Sequence, residues 1–151
     1  MSDQPSQRRR TVVCIEDEPA MIDLVKLILK NRGFEVLGAL GGKEGLDLIA
    51  RVKPDLVLLD LMMPDMNGWD VYQQMKADES MKSIPVIVVT AKAQNIDKVL
   101  GLHIAKVQDY ITKPFSPAEL LKSVNRVLDE AAQTARAGLK SDDMAAEEQE
   151  P

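Results

Sequence analysis

Three continuous apolar runs, Val12-Val13-Cys14-Ile15, Leu56-Val57-Leu58-Leu59 and Val86-Ile87-Val88-Val89, punctuate this chain of 151 residues. A run that does not alternate with polar residues suits a strand covered on both faces, as in a parallel sheet. Weaker strand signals at Glu35–Leu40 and Val107–Thr112 are expected nearer the sheet edges. The segments between the runs carry apolar residues at helical spacing. Met21, Leu24, Val25 and Ile28 mark a first helix with Gly33 as its stop, and Leu46, Ile49 and Ala50 mark a second. Val71 and Met75 mark a third after Gly68, and Ile96, Val99 and Leu100 a fourth. Ser116-Pro117-Ala118-Glu119 opens a fifth, with a cap, a proline at the first helical position and a capping-box glutamate in order. Its apolar face runs through Leu120, Val124 and Val127. Five strand-helix units over residues 11–133 predict an α/β domain with a parallel sheet.

The composition allows one ordinary globular domain: 45% of residues are hydrophobic and 28% charged. The net charge of −5 is unevenly spread. Arg8, Arg9 and Arg10 against Asp3 give residues 1–10 a charge of +2, expected as a flexible basic lead-in. Lys140 against Asp142, Asp143, Glu147, Glu148 and Glu150 gives residues 138–151 a charge of −4. The stretch 11–137 holds only −3, which excludes nucleic-acid binding through bulk positive charge. The apolar periodicity fades beyond Ala131, so 134–151 is expected to be a disordered acidic tail. About 20 residues there cannot build an output module, so the chain is expected to be a stand-alone unit or one cut from a longer protein.

Cys14 is the only cysteine and cannot close an internal disulfide, which points to a reducing compartment. No apolar run approaches the roughly 18 to 20 residues that span a bilayer. Thr11–Ile15, after the arginines, is too short for an export signal and runs into Glu16-Asp17-Glu18. A soluble cytoplasmic protein without membrane insertion is the expectation.

In an open α/β sheet, ligands bind beyond the carboxyl ends of the strands. The first strand delivers Glu16-Asp17-Glu18 to that edge, the third Asp60, the fourth Thr90-Ala91, and the fifth leads to Lys113-Pro114. Clustered carboxylates repel one another and take up protons unless a cation offsets their charge. Mg²⁺ favours such oxygen ligands and keeps waters that a phosphoryl oxygen can replace. A carboxylate can also attack phosphorus to give an acyl phosphate. Lys113 would then neutralise the equatorial oxygens and Thr90 donate a hydrogen bond, while Ala91 leaves room for the group.

Glu16-Asp17, Asp60 with Met63-Pro64 and Gly68, Thr90-Ala91, Tyr110 and Lys113-Pro114-Phe115 together resemble a response-regulator receiver domain of two-component signalling, of the chemotaxis-type stand-alone kind. The match covers residues 11–133 with every element in order. The resemblance implies a doubly wound flavodoxin-like (βα)₅ fold, with strand order 2-1-3-4-5 flanked by five helices. Asp60 would accept a phosphoryl group from a sensor histidine kinase, a phosphotransfer protein or a small phosphodonor. Asp17, Asp60 and the backbone carbonyl of Met62 would bind Mg²⁺, with Glu16 acting through a bound water. Lys113 would contact the phosphoryl oxygens, and the Lys113–Pro114 peptide would be cis. Thr90 and Tyr110 would form a switch pair, Tyr110 turning inward as Thr90 moves. The fourth helix, fifth strand and fifth helix, roughly residues 95–128, would signal to a downstream protein, with no direct nucleic-acid contact. Such a chain would be a monomer or a phosphorylation-dependent dimer, and a signalling protein rather than a turnover enzyme.

Two departures from the family pattern bear on function. Ile104-Ala105-Lys106-Val107-Gln108-Asp109 replaces the small Gly-Ala pair common before the fifth strand. Met62 and Lys92 occupy the positions that flank the path of the attacking water. A thioether can neither orient nor activate water, so slow self-dephosphorylation is expected.

Three other readings compete. An aspartyl-phosphate hydrolase of the haloacid-dehalogenase type needs an acid two residues after the nucleophile, where Met62 stands. A flavodoxin-like cofactor binder needs a Ser/Thr/Gly-rich first loop, whereas Glu16-Asp17-Glu18-Pro19 would repel a phosphate. A pseudo-receiver used only for protein contact would not need the intact set of Asp17, Asp60, Thr90 and Lys113. Plainer roles are expected elsewhere: Cys14 as core filler, Trp69 as an anchor of the third helix, His103 as a surface residue, and Met62, Met63 and Met66 partly as loop packing.

Overall fold

The computed structural model describes residues 9–91 and 107–148, with side chains through 137. Five parallel strands, β1 (Arg10–Ile15), β2 (Phe34–Ala39), β3 (Leu56–Leu59), β4 (Val86–Ala91) and β5 (Asp109–Lys113), form one sheet in the order β2-β1-β3-β4-β5. Helices α1 (Pro19–Lys30), α2 (Gly42–Val52), α3 (Gly68–Ala77) and α4 (Pro117–Glu148) are described around it. This is the expected doubly wound fold, and the two weakest strand signals do lie at the edges. The helix expected over Ile96, Val99 and Leu100 lies outside the described residues, as do His103, Lys92 and Ile104–Lys106.

Successive residues on each strand enter opposite cores, because Cβ atoms alternate across a sheet. Val13, Ile15, Val57, Leu59, Val86 and Val88 pack under α2 and α3. Val12, Cys14, Leu56, Leu58, Ile87 and Val89 pack with α1 and α4. The continuous apolar runs are thus filled on both sides, each fully buried Val or Leu contributing about 1.5–3 kcal/mol. Cys14 is a buried free thiol, and burial pushes its pKa up to about 12, so it behaves as core filler.

The helix ends obey local chemistry. Pro19 stands at the start of α1. That helix stops at Lys30, before Gly33, whose φ of +87° makes the left-handed turn into β2. Arg9 donates to the carbonyls of Lys30 and Phe34 at 2.8 and 2.7 Å, so one of the basic lead-in residues closes the end of α1. The α4 capping box forms as expected: the Ser116 N–H donates to Glu119, and the Glu119 N–H to Ser116 Oγ. Ser123 Oγ and Arg126 both donate to Asp109 Oδ2, fastening α4 to β5.

The backbone of 134–148, within the stretch set apart above as an acidic tail, continues α4 through Glu148. Ala, Glu, Lys, Arg, Leu and Met make up most of that stretch, and their intrinsic helix propensity extends the helix past Leu128, its last buried residue among those described.

Candidate functional site

Strand order brings the chemistry together. β1 and β3 are neighbours with Ile15 paired to Leu59, so the next residues, Glu16 and Asp60, leave the sheet side by side. The Asp60 N–H donates to the Ile15 carbonyl at 3.0 Å, which extends that register by one residue. β4 lies beside β3, and Ala91 pairs with Lys113, so Thr90 and Lys113 reach the same edge. Carboxylate oxygens of Glu16, Asp17 and Asp60 lie within 4.8 Å of one another. Glu16 is 2% exposed and Asp60 5%, so these charges are largely cut off from water.

Lys113 is the counter-charge. Its Nζ donates to Glu16 Oε1 at 2.5 Å and stands 3.6 Å from Asp60 Oδ2. Burial alone would weaken the ammonium, but the Glu16 bond and the charge of Asp60 outweigh it and hold its pKa above the ordinary value. Burial of Glu16, reinforced by Asp60 and only partly offset by Lys113, pushes that carboxyl up to about 7. The two shifts agree: the lysine stays charged, and Glu16 is the group that takes a proton as pH falls.

The Glu16 shift gives stability a definite pH dependence. Glu16 binds a proton more readily when folded than its ordinary value of 4.5 allows when unfolded. The metal-free native state therefore holds more protons between those values, and stability falls as pH rises from 4.5 to about 7. Thermal melts of metal-free protein across that window should show this decline, and Glu16→Gln should remove it. An unchanged slope in the variant would place the titration elsewhere.

The residues present would suit a hard cation and a phosphoryl group on two counts. Its donors are carboxylate oxygens, with neither nitrogen nor sulfur in the cluster, as suits Mg²⁺. Thr90 Oγ1 is buried with no hydrogen-bond partner among the described residues, an unmet donor that a phosphoryl oxygen would satisfy. Beneath the site, Gly68 abuts the Asp60 backbone: a Cβ there would lie 2.5 Å from the Asp60 carbonyl oxygen. The Met62 side chain is 60% exposed, and its N–H donates to Asp60 Oδ1 at 3.0 Å. The Lys113–Pro114 peptide is cis.

Tyr110 is not part of this assembly. It pairs with Val88 as the second residue of β5 and is 42% exposed. Trp69 is buried at the start of α3 and meets Tyr72 edge-on at 5.8 Å. Sequence reasoning missed two residues. Asn67 caps α3 by accepting the Trp69 N–H at 2.8 Å, and Asp65 reaches the start of α2. Asn67, three residues before Asp70 and just ahead of the helix, was legible as a cap; Asp65 was not.

Comparison with known proteins identifies the family. The family model of the response regulator receiver domain matches residues 12–125. The DNA-binding response regulator MtrA of Mycolicibacterium smegmatis is 37% identical over 116 residues, 77% of this chain and 49% of the relative. The chain thus spans about half the length of that curated relative. A CheY-like response regulator receiver domain protein from Methanospirillum hungatei superposes with a TM-score of 0.75 at 30% identity, covering 83% of this chain and 98% of that one. The receiver domain of a signal transduction histidine kinase from Syntrophus aciditrophicus gives 0.73 at 29% identity, covering 80% and 91%. The residues at the sheet edge, the strand order and the family match lead to one conclusion: the chain belongs to the response-regulator receiver family.

Proposed function

We propose that this chain is a phosphorylation switch in which Asp60 accepts a phosphoryl group from a sensor histidine kinase or phosphotransfer protein. The observation that carries this is the convergence of three carboxylates within 4.8 Å, with Lys113 held 3.6 Å from Asp60. An Asp60 carboxylate oxygen attacks phosphorus, the bond from phosphorus to the donor's imidazole nitrogen breaks, and its electron pair stays on that nitrogen. The new aspartyl phosphate bears oxygens that the Lys113 ammonium neutralises and the Thr90 hydroxyl bonds. Asp17, Asp60 and the Met62 carbonyl, with Glu16 through a water, would hold Mg²⁺. That ion would supply further neutralisation of the transferring oxygens.

Movement of Thr90 toward the phosphoryl group opens space for Tyr110 to turn in from its exposed position. This biases a two-state surface built from β5, α4 and the segment before β5 toward a downstream protein. The role is that of a signalling module that assists its own phosphorylation and dephosphorylation.

The test is incubation with Mg²⁺ and acetyl phosphate, read by intact mass. Wild type is expected to gain one phosphoryl group and Asp60→Ala none; a gain that survives the substitution overturns the assignment. After donor removal the group should persist well beyond seconds, because the exposed Met62 thioether offers no base or acceptor to the attacking water.

A further inference from the structure

The loop from Asp60 to Gly68 is tied down at a point remote from the acid cluster. Asp65 accepts the N–H of Gly42 at 3.2 Å through one carboxylate oxygen and that of Lys43 at 3.4 Å through the other. These are the first N–H groups of α2, which have no partner within a helix. The residue before them, Gly41, has no side chain to cap them, and α2 has no cap of its own. Asp65 therefore caps α2 from another segment, and its charge suits the positive end of the helix.

The fit leaves no slack. A Cβ on Gly41 would lie 2.8–2.9 Å from the Asp65 carboxylate, and one on Gly42 2.8 Å from Val71 and 2.9 Å from Met66. At its base, the loop is closed by Met62 N–H on Asp60 Oδ1 and Gly68 N–H on the Leu61 carbonyl, each at 3.0 Å. The buried Met63 and half-buried Met66 seat it on the core. Asp65 supplies the polar tether at the tip.

We propose that Asp65 is a positioning residue for the candidate phosphorylation site. By anchoring loop 61–67 to α2, it sets the direction of the Met62 carbonyl and of the Asp60 carboxylate. The role in ligand binding rests on the function proposed above; the role in ordering the loop does not.

Three variants separate positioning from plain stability. Asp65→Ala removes the cap and the tether together. Asp65→Asn keeps an acceptor. Asp65→Ala with Gly41→Ser restores a local cap to α2, the space having been vacated by the Asp65 carboxylate, but not the tether. In metal-free protein, amide hydrogen exchange of residues 61–67 is expected to accelerate in Asp65→Ala and in the double variant, and to stay near wild type in Asp65→Asn. Trp69 fluorescence titrations with Mg²⁺ and beryllofluoride should show about tenfold weaker binding in the same two variants, the size expected when a support of metal ligands is lost. The melting temperature should recover in the double variant while binding and exchange do not. Recovery of all three, or unchanged exchange in Asp65→Ala, overturns the proposal. If wild type binds neither probe, the functional reading falls, and exchange in the metal-free protein still decides whether Asp65 holds the loop.

Discussion

Gly68→Ala is expected to cost about 3 kcal/mol, seen as a drop of roughly 10 °C in melting temperature. The added methyl would sit 2.5 Å from the Asp60 carbonyl oxygen and 2.6 Å from the Leu61 Cα. Both obstacles are backbone, which cannot rotate aside as a side chain can. Either α3 moves outward, losing contacts of the buried Trp69 and Val71, or the strand end carrying Asp60 moves. The second route also disturbs the acid cluster, so the loss in Mg²⁺-dependent phosphorylation should exceed what the remaining folded fraction explains. Gly33→Ala is the control. Gly33 has a φ of +87° but nothing within 4 Å of its Cβ position, so only backbone strain of about 1 kcal/mol is expected, with phosphorylation intact. Equal effects of the two changes would show that close approach at Gly68 is not what matters.

Lys113→Met should split two activities that a general collapse would lose together. The lysine is the cation between two buried acids, and removing one partner of a buried pair costs about 3 kcal/mol. The remaining carboxylates repel each other, so Glu16 should protonate at still higher pH. A divalent cation would relieve the same repulsion and no longer compete with an ammonium, so Mg²⁺ affinity measured by Trp69 fluorescence should hold or rise at pH 8. Beryllofluoride, which needs a donor to its terminal atoms, should bind ten- to a hundredfold more weakly, the loss of about 1.5–3 kcal/mol for one charge-assisted hydrogen bond. A parallel fall in both affinities would mean that Lys113 acts only through stability.

Much of the site was legible because it is written in local pattern. Four-residue apolar runs declare doubly covered strands, and the residues just past each run are those that the sheet presents at its edge. Glu16, Asp17, Asp60, Thr90 and Lys113 were found in this way, and the strand order then brought them together. The capping box of α4 was legible for the same reason: cap and glutamate are three residues apart.

The hidden features depend on contacts between distant segments. Gly41-Gly42 reads as a weak helix start, because its cap, Asp65, is 23 residues on and acquires meaning only when the β3–α3 loop folds over α2. Gly68 reads as a helix boundary, and only the packing shows that it lies against the backbone of Asp60. Asp109 reads as an ordinary strand-end acid until Ser123 and Arg126 are seen to hold α4 through it. The backbone past residue 133 continues as helix where the apolar periodicity has faded, because that periodicity reports burial, whereas a helix can run on by propensity alone.

The sequence by itself therefore determined the alternation of strands and helices and the residue types at each strand's end, since both derive from periodicity and chemistry within a few positions. The tertiary structure decided which of those ends are neighbours, that a buried lysine balances the acids, and that Tyr110 stands outside. Distances between charges depend on strand order and burial, which no single segment encodes.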